Sequence, residues 1–162
     1  RTPLNLPARR NLATAQPRPA TKPPEKLLTN GIRGSLKYSD FEWCSWADND
    51  SVSFTIDLLK LEMLNTLILG CITNNGMAIH KPASVRVEVS DDNSKFREAV
   101  VQRITSEELF REGNFIENLS LKLGGTQARY VRVTAKGPGV CPASHVRPGQ
   151  TSRIFFDEVM LE

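Results

Sequence analysis

In SVRVEVS, residues 84–90, every second position is a valine and the positions between are charged or hydroxylic. Strict alternation of this kind places Val85, Val87 and Val89 on one face of an extended chain and Arg86 and Glu88 on the other. The same period of two recurs in VSFTIDL (Val52, Phe54, Ile56, Leu58), in FIENLSLKL (Leu119, Leu121, Leu123) and in ARYVRVTAK (Val131, Val133, Ala135). LNTLILGCIT, residues 64–73, is apolar on both faces and reads as a central strand covered on each side. SDDNSKF is a sharp turn that returns Phe96 to the sheet, and Ala99 to Ile104 follows as the return strand. ITSEELFREGN is ambiguous and has room for one helical turn, Gly124-Gly125 ends a strand, and RIFFDEVMLE closes the chain as a last strand. Seven or so short strands, with no long amphipathic helix among them, predict an all-β fold: a two-sheet antiparallel β-sandwich or jelly roll.

Residues 1–24 differ from the rest. They hold six of the ten prolines and five basic residues with no acidic one. This reads as a Pro-rich basic leader or interdomain linker, within which Leu4, Leu6 and Leu12 are placed to add an edge strand; residues 25–162 are the sandwich domain. The start on Arg1, with no signal-peptide pattern, reads as a mature protein or an excised fragment. The formal charge of +3 is therefore misleading, because the body carries 16 basic against 18 acidic residues. A nucleic-acid binder keeps its positive charge on the folded body, so nucleic acid is not the expected partner. No apolar run approaches the roughly 20 residues of a membrane span, and no transmembrane segment is expected. Cys44, Cys71 and Cys141 are too widely spaced for a CxxC redox or zinc pattern. Cys71 reads as a small buried hydrophobe, and a Cys44–Cys141 bridge is left open.

The chemistry of an enzyme is not spelled out. There is no GxSxG, HExxH, Walker or GxGxxG pattern. Asp48-Asn49-Asp50 opens like an EF-hand, but the sixth position is Ser53 and the twelfth Leu59, where that loop needs Gly and Glu. What the sequence offers instead is three polar, aromatic loops. Residues 38–51 carry Tyr38, Phe41, Trp43 and Trp46; residues 73–81 carry Asn74, Asn75 and His80; residues 138–152 carry His145 and Arg147. An aromatic face beside a few fixed polar groups is how a site holds a sugar ring. Trp43, Trp46, Asn74, Asn75, His80 and His145 are the candidate ligand-binding residues. Each also has a plain reading: the tryptophans as core anchors, the histidines as satisfied loop residues, and Asn74-Asn75-Gly76 as turn chemistry. Whether Trp43 and Trp46 face solvent or core separates a sugar-binding role for the domain from a purely structural one.

The order LLTNGIRGS, a tryptophan, VSFTIDL, SVRVEVSDDNSKF, ARYVRVTAK and FFDEVMLE resembles the discoidin, or coagulation factor five/eight type C, family over residues 27 to 162. That resemblance implies the galactose-binding-like jelly roll of the family 32 carbohydrate-binding modules. LTNGIRGS, the PGVCPASH loop and FFDEV look like the C-terminal accessory domain of bacterial family 20 β-N-acetylhexosaminidases. The family often binds a structural Ca²⁺, whose ligands the resemblance places at Asn30, Ser35 and Glu158 with the carbonyls of Leu28 and Ile32; Asn30 stands where the pattern has Asp. It also places the sugar site where the three loops meet, although TNNGMAIH lacks the Arg of galactose-binding relatives. The expected function is a non-catalytic carbohydrate-binding module of a secreted, periplasmic or cell-surface glycoside hydrolase. Its expected partners are a glycan and a neighbouring catalytic domain, and the rival is a purely structural domain packed on that catalytic domain.

Overall fold

A computed structural model of the chain describes residues 12–16, 27–46 and 51–162. The strands are β1 (Leu12–Gln16), β2 (Cys44–Trp46), β3 (Ser51–Asn74), β4 (Ser84–Ser90), β5 (Arg97–Arg103), β6 (Asn114–Lys136) and β7 (Ile154–Leu161). A one-turn helix, α1 (Ser106–Leu109), occupies the ambiguous segment, and the Thr105 side chain caps it by accepting from the Glu108 N–H at 3.3 Å.

Two strands are far longer than their alternation suggests. The runs 52–58 and 64–73 are one 24-residue strand, and 115–123 and 128–136 are one 23-residue strand. Each bends at a bulge rather than stopping. In β3 the register slips between Asp57 and Glu62, where Leu59 has φ 68° and its N–H is held by Asp57 Oδ1 at 2.7 Å. In β6 the bend falls at Gly124 and Gly125, with φ of 67° and 76°, a backbone that glycine adopts freely. The glycine pair read as a strand end is the corner at which the chain passes from one layer to the other.

That corner builds the sandwich. Residues 51–57 and 130–136 pair with each other, with β1 on one side and with β4 and then β5 on the other. Residues 67–74 and 114–122 pair in the second layer, flanked by β7 and β2. All the pairings are antiparallel, in the order β2-β7-β3-β6-β4-β5 with β1 joined to β3. The edge strand foreseen in the leader is realised at residues 12–16; Leu4 and Leu6 lie outside the described residues. Valines 52, 85, 87, 89, 131 and 133 face leucines 67, 69, 119 and 121 across the interior, with Phe54 and Phe156 between them. At about 25 cal/mol per Å² of apolar surface removed from water, this shared interior is the main force holding the layers together. The 90–96 turn behaves as its sequence implies: Asn93 sits at φ 62° and Phe96 returns to lie 3.9 Å beneath the Arg132 guanidinium.

The bends form one end of the sandwich. At the other end the connections 75–83, 104–113 and 137–153 come together, tied by bridges from Ile79 to Asn74 and to Arg153. Among the described residues no helix is long and apolar enough to cross a membrane.

Candidate functional site

Both tryptophans are anchors. Trp43 is 1% exposed and packs with Ile72, Ile79 and Phe155, and its Nε1–H donates to the Ser35 carbonyl at 2.9 Å. Gly34 lies directly beneath the indole, so that any side chain there would collide with the ring. Trp46 is also 1% exposed and leans on Phe156 at 5.7 Å between centroids, inside the main core. Neither ring has a face left for a sugar, and the expectation that they form the stacking platform is corrected. The cause is visible in the chain: Cys44, Ser45 and Trp46 pair with Phe156, Phe155 and Ile154 as a short strand, so a segment that reads as a loop is drawn into the layer.

The other four candidates converge. His80 and His145 face each other with their Nε2 atoms 2.9 Å apart, and the Asn75 side-chain amide lies 3.0 Å from His145 Nε2. The backbone N–H of Arg147 donates to His145 Nδ1 at 2.9 Å. A neutral His145 therefore carries its proton on Nε2 and donates it to His80 Nε2, which places the His80 proton on Nδ1. That Nδ1 is buried and has no partner among the described residues. The same assignment requires Asn75 to turn its oxygen, not its nitrogen, toward His145. Burial, with a smaller contribution from His145, lowers the His80 pKa to about 4. Phe110 closes the cluster with its ring 5.2 Å from His80. The arrangement is a polar tie between the 75–81 and 138–152 loops, reinforced by the Arg147 guanidinium donating to the Gly76 carbonyl. Asn74 stands at the margin of the tie, half-buried, with its backbone bridged to Ile79.

Cys141 reaches this cluster too, its Sγ and the histidine nitrogens lying within 4.8 Å of one another. It is not an activated nucleophile, because burial raises its pKa when a thiolate would need it lowered. A metal ion at these three residues would need the His145 Nε2 lone pair, but with Nδ1 accepting the Arg147 N–H a neutral His145 carries its proton on Nε2. Cys44 and Cys71 form no disulfide and are buried, and Cys71 is pushed up to about 12 by desolvation. The bridge left open between Cys44 and Cys141 is not formed.

The residues expected to hold calcium are only partly assembled. Glu158 is 3% exposed and its Oε2 accepts the Gly31 N–H at 3.1 Å. Burial is the main influence on it and raises its pKa to about 7. Asn30 lies alongside, with Oδ1 accepting the Ile32 N–H at 2.8 Å and Nδ2 donating to Glu42 Oε2 at 3.0 Å. The Leu28 carbonyl accepts the Val159 N–H at 2.8 Å. Ser35 turns the other way: its carbonyl takes the Trp43 indole and its Oγ the Lys37 N–H. Glu158 Oε2 and Asn30 Oδ1 are thus engaged by the 31–32 backbone, the Leu28 carbonyl by Val159, and Ser35 points elsewhere.

One neighbour was missed by sequence reading. Asp157 is fully buried, accepts from Arg33 Nε at 2.8 Å and from the Gly34 N–H at 2.9 Å, and lies against Gly70, where a side chain would collide with it. The available signal was a carboxylate inside an otherwise apolar strand, because a buried acid requires a partner. With the tryptophans inside, Tyr38, Met77, Arg153, Asn74 and Arg147 remain at least partly exposed at the loop end, and Phe41 of the 38–46 segment is 76% exposed. Tyr38 meets Phe155 edge-on at 6.2 Å, and Arg153 lies 5.5 Å from the Phe155 ring centre.

Solved structures with this fold include the C-terminal domain of a chitobiase from Bacteroides fragilis (14% identity, 99% of this chain and 97% of that one, TM-score 0.62). A family 32 carbohydrate-binding module of a family 31 glycoside hydrolase from Clostridium perfringens is similar (16%, 95% and 90%, TM-score 0.63). So is a family 32 module from Clostridium perfringens in complex with GalNAc-β-1,3-galactose (16%, 96% and 97%, TM-score 0.59). No curated protein sequence matches the chain. At these identities the structural likeness establishes the fold, and the family rests on sequence: the F5/8 type C domain matches residues 12–146, and the chain belongs to that family.

Proposed function

We propose that this chain is a non-catalytic carbohydrate-binding module, an accessory domain of a larger, β-hexosaminidase-like glycoside hydrolase, that holds a glycan at the loop end of the sandwich. The observation that carries this reading is the His80–His145–Asn75 tie. It fixes two exposed loops to each other and leaves Tyr38, Asn74, Met77, Arg147 and Arg153 on a preformed surface. Preorganisation of this kind lowers the cost of ordering the loops on binding. Tyr38 and Phe41 supply aromatic area in place of the buried tryptophans, and Asn74 with the two arginines supplies donors for hydroxyls. Affinity at one such site is weak, and tethering to a catalytic domain raises it by effective concentration. A parent enzyme in the periplasm, at the cell surface or outside the cell is the location this reading carries with it. A structural Ca²⁺ would sit at Glu158, Glu42 and Asn30 with the Leu28 and Ile32 carbonyls, bracing the 27–42 segment away from the sugar.

A glycan array probed with the isolated domain, with Ca²⁺ and with chelator, tests the proposal. Binding that falls at least about tenfold in Tyr38→Ala and survives chelator supports it, and no signal on any glycan contradicts it. A second reading, a structural domain that packs on its catalytic neighbour, draws on the half-exposed Leu59, Leu61 and Met63 at the opposite end. It predicts that array result together with tight association with the neighbouring domain.

A further inference from the structure

The outer face of the first layer carries a depression of about 250 Å³ that is lined by none of the residues of the histidine tie. Its origin is the strand register. Ser51, Lys136, Ser84 and Arg103 are aligned across β3, β6, β4 and β5, and Ser53, Thr134, Arg86 and Val101 form the next outward row. Residues opposite one another in adjacent strands share a face, so while Val52, Ala135 and Val85 point into the core these two rows point out. They bring three cations, Arg86, Arg103 and Lys136, around a floor that contains Val101, with the hydroxyls of Ser51, Ser84 and Thr134 between them.

Charge on this face is not balanced. Arg132 of the adjoining row is paired with Glu88 at 2.8 Å, and Arg86 makes a 3.4 Å contact with Glu98 in which both side chains are more than half exposed. An exposed pair of that kind holds its partner weakly. Among the described residues Arg103 and Lys136 make no ion pair and no carboxylate lines the depression. Three converging cations in a concave, hydroxyl-bearing surface focus a positive potential.

We infer that this depression is a second ligand site, sharing no lining residue with the surface proposed above, that takes the carboxylate or sulfate of an acidic saccharide. Arg103 and Lys136 hold the anionic group, the three hydroxyls meet the ring hydroxyls, and Val101 with the aliphatic stems of the basic side chains covers C–H surface. The volume lies below the 300–1,000 Å³ of sites for drug-sized ligands, so one sugar residue is the unit recognised. The site does not depend on the loop-end reading, and either can fail without the other.

The test is a titration of the ¹⁵N-labelled chain followed by amide shifts, with glucuronate, glucose and inorganic sulfate as separate probes. Glucuronate is expected to move the amides of Ser84, Arg86, Val101, Arg103 and Thr134, and glucose to leave them in place. The double variant R103Q/K136Q, whose changed side chains lie on the surface, is expected to weaken glucuronate about tenfold and to keep its thermal midpoint. Added salt should weaken binding as well, since exposed charges are screened. No movement with glucuronate, or equal movement in the double variant, overturns the site. Sulfate binding as tightly as glucuronate overturns the saccharide assignment.

Discussion

The 38–46 segment and the pair of loops 75–81 and 138–152 look alike in sequence: polar, turn-rich and carrying the rare side chains. They become rigid by opposite means. The first drives two indoles into apolar surroundings, where Trp43 needs a single hydrogen bond and Trp46 packs on Phe156. The others bury two imidazoles that satisfy each other across 2.9 Å. An apolar anchor is indifferent to pH, whereas the polar tie is held only while His80 is neutral and can accept. The lesson for this fold is that the side chains that stand out in its loops fasten them, and the recognition surface proposed above is built from the ordinary residues that remain outside.

The largest effect that would break this contrast is at Trp46. Trp46→Ala should cost about 3–5 kcal/mol in urea unfolding with no change between pH 5 and pH 8; a cost below 1 kcal/mol would return the ring to the surface. His80 comes next. Its pKa of about 4 in the fold lies below the unfolded 6.5, so the unfolded chain binds more protons in this window and stability is lost as pH falls from 6.5 toward 4. The loss amounts to about 3 kcal/mol at pH 4. Glu158, raised to about 7, acts with the opposite sign, its contribution falling as pH rises from 4.5 through 7. The His80 limb is therefore read as the difference between the parent and His80→Asn at each pH, and a flat difference would show that the tie does not form.

Smaller still is Asp157→Ala, which removes the acceptor of Arg33 and of the Gly34 N–H. About 2 kcal/mol is expected, the size of a charge-assisted bond, because Arg33 is one-third exposed and water replaces part of what is lost. Asp157→Asn should recover some of it. Calcium addition should raise the thermal midpoint of the parent but not of Glu158→Gln, and an equal rise in both would move the ion elsewhere. The smallest effect is at the bend end, where Met63→Ser should fall within about 0.5 kcal/mol; a larger loss there would mean that the exposed patch is part of the core.

The strands were legible because alternation is a local signal: Val85, Val87 and Val89 point inward as their spacing says, and so do Val131 and Val133. Their continuity was not, because Leu59 and the Gly124-Gly125 pair interrupt the alternation with the same residues that end a strand, and only pairing across the sheet reveals a bend. Asn75, His80 and His145 were singled out as ligand-binding residues on loops that meet; the loops do meet, but distance in sequence concealed that these side chains are buried against each other rather than facing solvent. The tryptophans misled for a related reason: β2 pairs with β7, more than a hundred residues later, and nothing near Trp46 marks it as a strand. Asp157 and the cationic rows of the outer face arise only from register, which no single stretch encodes.

Since the chain has only two tryptophans, its intrinsic fluorescence reports directly on the division between fastening and recognising side chains. Acrylamide quenching of the folded domain, with and without a bound glycan, should show blue-shifted emission that is poorly quenched in both states. Accessible, red-shifted emission that becomes protected when the glycan binds would contradict that division and restore the tryptophans to the binding surface.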